Sequence, residues 1–361
     1  MVCLEHLRAF LFVGFSELPS TVRPGLFLKA FYLVTSLGHE AVLLFFVLSG
    51  FLVGGSVLKS LNHGTWSWSG YMVRRMSRLW VVLLPALVLT AFWDGIGSSL
   101  HADGYAGIWR SLYHSGPSLL EPCNDTLPVF LGNAGFLQTI LVPCYGTNSP
   151  LWSLANEFWY YLLFPLFLIF FRSGKFPKRI LCGLLAALIL GLLPRSFPLG
   201  LLIWSLGAWA FHLSGREWLR RVLDHGISRI TAIVLIAGSL AISRRVAGSG
   251  SSDLLVGIPF VLLVLVFSRG RHPSPYVGDV FSAFSEFSYT LYLVHFPVLA
   301  WLFFTGFHGH RILPDQLGFL VFAAILAGVI LYAAAVWWCF ERNTDRVRRF
   351  LLSFIPGTQR C

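Results

Sequence analysis

Nine apolar runs, at residues 40–58, 79–97, 150–171, 179–193, 197–213, 229–243, 253–268, 286–305 and 316–340, leave this chain few ways to fold. Several stay uncharged for long enough to cross a hydrocarbon core of roughly 30 Å, which takes about 20 residues of helix. In lipid every backbone N–H and C=O must be satisfied by the protein, and a helix does so within one segment. A closed β-barrel meets the same constraint, but its strands alternate apolar and polar residues in short segments, whereas these runs are continuous. Composition agrees: 56% of the 361 residues are hydrophobic and 12% charged, against about a quarter charged in a soluble domain. The expected fold class is all-α, a polytopic transmembrane helix bundle of about nine to ten spans lying in the lipid bilayer.

The formal charge is +11, yet the basic residues sit at the ends of apolar runs, without basic tails or aromatic-interleaved patches. Membrane topology accounts for them, and nucleic acid is not expected as a partner. Lys and Arg accumulate on the cytoplasmic side. With the loop after the first run inside, the inner segments hold Lys59, Arg74, Arg75 and Arg78; Arg172, Lys175, Lys178 and Arg179; Arg216, Arg220, Arg221 and Arg229; Arg269 and Arg271; and Arg342, Arg346, Arg348, Arg349 and Arg360. These are nineteen of the 27 basic residues. The C-terminus is then cytoplasmic and residues 1–39 are outside, although nothing in MVCLEHLRAF reads as a cleaved signal peptide or anchor. The expectation is that a first helix is missing or truncated, or lies hidden in the apolar stretch 25–37.

There is no internal repeat, low-complexity tract or appended soluble domain, so residues 1–361 are expected to form a single integral-membrane domain. The longest linker, 98–149, is semi-polar with a weakly apolar piece at 129–142. Cys123 and Cys144 share that outer loop, where a disulfide is permitted. Cys182 and Cys339 are packing residues in this reading. No spacing suits a zinc or iron–sulfur site, and no metal or bound cofactor is expected.

Four groups of residues have the chemistry for a site. In VRRMSRLWVVLLP, residues 73–85, Arg75 and Arg78 are three apart and share a helix face, as Arg74 and Arg78 do at four. Two guanidinium forks on one face suit a phosphate-bearing ligand, although such arginines also serve as snorkelling topology anchors. Glu157 lies about two turns into a span lined by aromatic and aliphatic residues, and an ionisable side chain inside the membrane is a functional candidate by default. His295 stands in the middle of SYTLYLVHFPV beside Tyr289 and Tyr292; Tyr292 and His295, at i and i+3, form a polar seam toward the bundle interior. His6 and His39 fall at the outer ends of their segments, where a neutral imidazole can accept a hydroxyl proton. Gly50 and Gly54 have the small-xxx-small spacing of close helix packing.

Taken in order, HLRAFLF at 6–12, GHEAVLLFFVLSGFLVGGSVL at 38–58, RRMSRLW at 74–80, PLWSLANEFWYYLLFP at 150–165, SYTLYLVHFP at 288–297 and FERNTDRVRRFL at 340–351 resemble the acyltransferase-3 family of bacterial integral-membrane O-acyltransferases. The resemblance covers nearly the whole chain. It implies a ten-helix bundle in the bacterial cytoplasmic (inner) membrane that takes an acyl group, usually acetyl, from acyl-CoA and delivers it to a hydroxyl of an extracytoplasmic glycan. Arg75 and Arg78 match the family's Arg-x-x-Arg motif of the donor site, and His6 best matches the essential histidine that closes the first helix. Members usually carry an arginine well upstream of that histidine, a position this sequence lacks. In the resulting scheme Arg75 and Arg78 hold the donor, His6 is the general base, Glu157 orients it or shares its proton, and His39, Tyr292 and His295 line the substrate path or polar seam. The alternatives are a transporter or glycan exporter using Glu157 and His295 as a proton or substrate pathway, and an inactive truncated acyltransferase.

Overall fold

The computed structural model describes residues 1–105, 123–243, 250–268 and 275–355. Arg269, Arg271 and Arg360 of the expected inner set lie outside the described residues. In chain order the helices are α1 (Val2–Leu11), α2 (Leu26–Val34), α3 (Gly38–Ser49), α4 (Gly55–Asn62), α5 (Trp68–Leu100), α6 (Ala102–Tyr105), α7 (Leu127–Ala134) and α8 (Leu151–Arg172). They continue as α9 (Phe176–Leu192), α10 (Phe197–Ser214), α11 (Glu217–Leu223), α12 (Gly226–Ser243), α13 (Gly250–Phe267), α14 (Pro275–Gly306), α15 (Gln316–Cys339) and α16 (Thr344–Ser353). Among the described residues there is no strand, only isolated β-bridges.

Every expected apolar run is helical, and the protein is an all-α integral-membrane bundle. Among the described residues seven stretches are long and apolar enough to cross a membrane: Gly38–Asn62, Trp68–Leu100, Leu151–Arg172, Phe197–Ser214, Gly226–Ser243, Glu286–Gly306 and Gln316–Ser353. The run at 179–193 forms a shorter helix, α9, of 17 residues with Lys178 and Arg179 near its start, and the run at 253–268 lies in α13, whose described apolar stretch is Ser252–Phe267. α2, with nine residues, rises about 14 Å and is too short to span. Only 17% of the apolar window of α12 and 22% of that of α15 are buried within the protein, against 61% for Glu286–Gly306. The exposed Ile230, Ile233 and Val234 on α12 and Leu317, Leu320 and Leu331 on α15 therefore present the surface that lipid covers.

Two compact units are each assembled from segments distant in sequence: residues 1–39, 68–155 and 276–361 form the first, and 40–67 and 156–275 the second. In the first unit α1 buries Cys3, His6, Leu7, Phe10 and Leu11, a helical stripe at i, i+3, i+4 and i+7. That stripe and Phe12 pack on Phe296, Leu299 and Phe303 of α14 and on Phe322 and Val329 of α15. Just beyond α1, Ile312 N–H donates to Leu11 C=O at 2.8 Å and Val13 N–H to Ile312 C=O at 3.2 Å, tying the end of α1 to the loop after α14. His6 thus belongs to the packed face of a pinned helix.

The loop leading into α8 is stitched down by buried polar side chains, as backbone groups away from water require. Asn133 donates to Val129 C=O and Pro143 C=O at 2.9 Å each and accepts from Tyr145 N–H at 3.1 Å. Asp94, on α5, accepts from both Thr147 N–H and Thr147 Oγ1 at 2.7 Å. Gly146 between them has φ +56°, and a Cβ there would run into the Asp94 carboxylate, so only glycine fits.

In the second unit a π-turn, Gly50–Gly54, joins α3 to α4. A Cβ on Gly50 would strike the Trp204 carbonyl, and one on Gly207 the Val47 carbonyl. The small residues bring the π-turn and α10 backbone to backbone, the close approach expected of Gly50 and Gly54.

Candidate active site

The first unit contains a buried imidazole pair. His6 Nδ1 and His295 Nε2 are 2.8 Å apart, 289 residues apart in sequence, with nearly parallel rings whose centroids are 5.1 Å apart. His295 is fully buried and His6 is 5% exposed. The other His295 nitrogen, Nδ1, lies 2.9 Å from the carbonyls of both Leu291 and Tyr292, one turn back on α14. Phe296 packs edge-on against the His6 ring at 4.8 Å. His6 lies outside the candidate membrane spans, and burial holds its imidazole well below the ordinary 6.5, with the charges of His295 and Arg8 acting the same way. It is therefore neutral at physiological pH, the form that can accept a proton.

Pro297 explains how α14 is fixed at this depth. Proline has no N–H, so the carbonyl four residues back, Leu293, loses its helical donor. Asn148 Nδ2 takes that carbonyl at 2.9 Å and also donates to Thr90 Oγ1 at 3.0 Å. Tyr292 lies on the same stretch: its hydroxyl donates to Pro150 C=O at 3.0 Å and pairs with Ser153 Oγ at 2.6 Å. The Pro150-Leu-Trp-Ser turn opening α8 is thereby clamped to α14.

α14 also anchors the arginine segment of α5. Tyr289 OH donates to Leu79 C=O at 3.3 Å, next to Arg78. Thr290 donates its N–H at 3.2 Å and its hydroxyl at 2.5 Å to Glu341 Oε2, and the Arg78 charge acts on that carboxylate. Arg75 is half-buried with its guanidinium over the Tyr71 ring at 5.8 Å, while Arg74 and Arg78 are exposed. From Thr290 to His295 is five residues, about 7.5 Å along a helix axis. One short length of α14 thus holds both the arginine segment and the partner of His6.

Glu157 is in the second unit, 3% exposed. Its Oε1 accepts from Ser49 Oγ at 2.7 Å and from Tyr161 OH. Ser49 Oγ in turn accepts from Trp204 Nε1 at 3.0 Å. The indole, hydroxyl and carboxylate form a directed chain ending on Oε1. His39, the remaining expected residue, is exposed at the second position of α3.

Among the expected residues, the structure joins His295 to His6 and places Tyr292 beside them on α14. Sequence reasoning missed Asn148, Ser49, Thr290, Glu341 and Asp94. Asp94 had a signal, a carboxylate within the apolar run 79–97, and its role is to hold Thr147. The proline two residues after His295 signalled an orphaned carbonyl, but not that Asn148 would fill it. Cys144, the loop cysteine considered for a disulfide, donates its Sγ–H to Ser149 C=O at 3.5 Å.

Comparison with known proteins adds chemistry to this geometry. The acyltransferase-3 family model, described as an acyltransferase domain, matches residues 2–340. Acyltransferase MdmB of Streptomyces mycarofaciens is 26% identical over 313 residues, 79% of this chain and 73% of that protein. Peptidoglycan O-acetyltransferase OatA of Listeria monocytogenes is 26% identical over 303 residues, 73% of this chain and 45% of OatA. An uncharacterized protein of Haemophilus influenzae is 23% identical over 248 residues, 62% of this chain and 96% of that protein. No solved structure matches.

Proposed function

This chain belongs to the acyltransferase-3 family and is an integral-membrane acyltransferase for groups other than aminoacyl; from that premise we propose that it transfers acetyl from cytoplasmic acetyl-CoA to a hydroxyl of an extracytoplasmic glycan, at the bacterial inner membrane. The acetyl group and the glycan class are supported by the name of one relative, a peptidoglycan O-acetyltransferase. The cytoplasmic donor side and the cytoplasmic C-terminus are supported by the distribution of Lys and Arg.

In this reading Arg75 and Arg78 bind the coenzyme A phosphates through charge-assisted, bidentate hydrogen bonds. His6 takes the proton of the acceptor hydroxyl as its oxygen attacks the thioester carbonyl. The carbon–sulfur bond then breaks, the imidazolium returns the proton to the leaving thiolate, and the products are an acetyl ester and the free thiol. Glu157, whose Oε1 accepts from Ser49 and Tyr161, has the role of orienting or sharing the proton in this scheme. His39 and Tyr292 contribute to the substrate path.

The observation that carries the proposal is the buried His6 held by His295 on the same turn-and-a-half of α14 that anchors the Arg75–Arg78 segment. The test is transfer of labelled acetyl from acetyl-CoA to isolated cell-envelope glycan by membranes containing the chain, its His6→Ala variant and an Arg75→Ala/Arg78→Ala variant. Incorporation by the parent chain that both variants lose is the expected result. Incorporation unaffected by His6→Ala removes the histidine from the mechanism, and transfer to small hydroxyl compounds but to no envelope glycan moves the acceptor out of that class.

A further inference from the structure

We propose that His295 is a positioning residue: it accepts the Nδ1 proton of His6 and so fixes His6 in the tautomer whose basic nitrogen is Nε2. This deepens the reading of His6 as general base and rests on it. The argument follows protons from a fixed point. Carbonyl oxygens only accept hydrogen bonds, and His295 Nδ1 faces two of them, Leu291 and Tyr292, at 2.9 Å; that nitrogen therefore carries the proton. A neutral imidazole has one N–H, so His295 Nε2 carries a lone pair. His6 Nδ1, 2.8 Å from it, must donate, and the His6 lone pair is left on Nε2.

The reverse arrangement needs a doubly protonated His295. That places a cation in a fully buried site packed against the Phe296 ring, next to a His6 on which the Arg8 cation already acts. Burying an uncompensated charge costs far more than choosing a tautomer. The chain of constraint extends outward: Asn148 holds the Leu293 carbonyl that Pro297 leaves open, fixing the rotation of α14 that points His295 at His6. After His6 takes the acceptor's proton, its Nδ1–H still points at His295 Nε2, a neutral acceptor that keeps the imidazolium oriented.

The test has a direct reading and a kinetic one. In the full chain, labelled with ¹⁵N-histidine and reconstituted in lipid nanodiscs, nitrogen shifts assigned through His6→Ala report which His6 nitrogen is protonated. The expected resting state has the proton on Nδ1. Gln places an amide oxygen near the position of His295 Nε2, so His295→Gln keeps an acceptor for His6, whereas His295→Leu removes it. His295→Leu is expected to lower kcat for acetyl transfer at least ~10²-fold with little change in KM for acetyl-CoA, and to give a mixture of His6 tautomers. His295→Gln is expected to restore the single tautomer and kcat to within about tenfold of the parent. A parent spectrum with the proton on His6 Nε2, or equal loss in the Gln and Leu variants when both remain folded by size exclusion, overturns the proposal. Full transfer by His6→Ala overturns it by a separate route, through the general-base reading itself.

Discussion

The two units each bury a polar cluster, and they are built from opposite materials. In the first, two imidazoles face each other and the terminal acceptors are main-chain carbonyls of α14. In the second, a side-chain carboxylate collects donors from Ser49 and Tyr161, with Trp204 behind Ser49. A carboxylate that already accepts two hydroxyls is a sink for hydrogen bonds and holds its surroundings still. An imidazole pair anchored on carbonyls has a defined proton order and room to gain one proton, which is the requirement for moving a proton during a reaction. The difference teaches that buried polarity is not one signal: one unit buries a pair of imidazoles anchored on main-chain carbonyls, the other a carboxylate that collects hydroxyl donors.

That contrast can be broken most directly by activity. His6→Ala should lower kcat by ~10²–10⁴-fold, the usual span for a general base. Glu157→Gln, which keeps an oxygen for Ser49 and Tyr161, should cost clearly less in the same acetyl-transfer assay. Equal losses would erase the distinction. Arg75→Ala and Arg78→Ala sharpen it next: losing one charge-assisted contact of about 1.5–3 kcal/mol should raise KM for acetyl-CoA ~10- to 100-fold each, while Glu157→Gln leaves that KM near the parent value.

Stability supplies two smaller tests. Glu157→Leu strands the buried hydroxyls of Ser49 and Tyr161 and should destabilise by about 1–3 kcal/mol, read as thermal unfolding in detergent, with Glu157→Gln much closer to the parent. A neutral Glu157→Leu would mean the carboxylate fixes nothing. The smallest effect is the pH dependence carried by His6. Its folded-state value is depressed below the unfolded 6.5, so below about pH 6.5 the unfolded chain binds a proton that the folded chain refuses. Stability should fall with decreasing pH by up to about 1.4 kcal/mol per unit from this group, and His6→Ala should flatten that part of the profile.

Hydropathy and motif order by themselves determined the class: an all-α membrane protein, its helical segments, the acyltransferase-3 family, and the presence of Arg75, Arg78, Glu157, His6 and His295 as candidates. These are legible because the length of an apolar run and the spacing of arginines on one helix are local properties, fixed by the rise and turn of the backbone. Seven of the nine expected runs lie in stretches that are, among the described residues, long and apolar enough to cross alone, and α9, with 17 residues, falls short in length. The pairings were decided only by tertiary structure. His6 with His295, Ser49 with Glu157, Asn148 with Leu293 and Thr290 with Glu341 join residues 289, 108, 145 and 51 positions apart. Each depends on the rotation of one helix about its axis and its depth against another. A rotation by one residue, about 100°, would turn either imidazole away from the other, and no run of apolar letters records that angle.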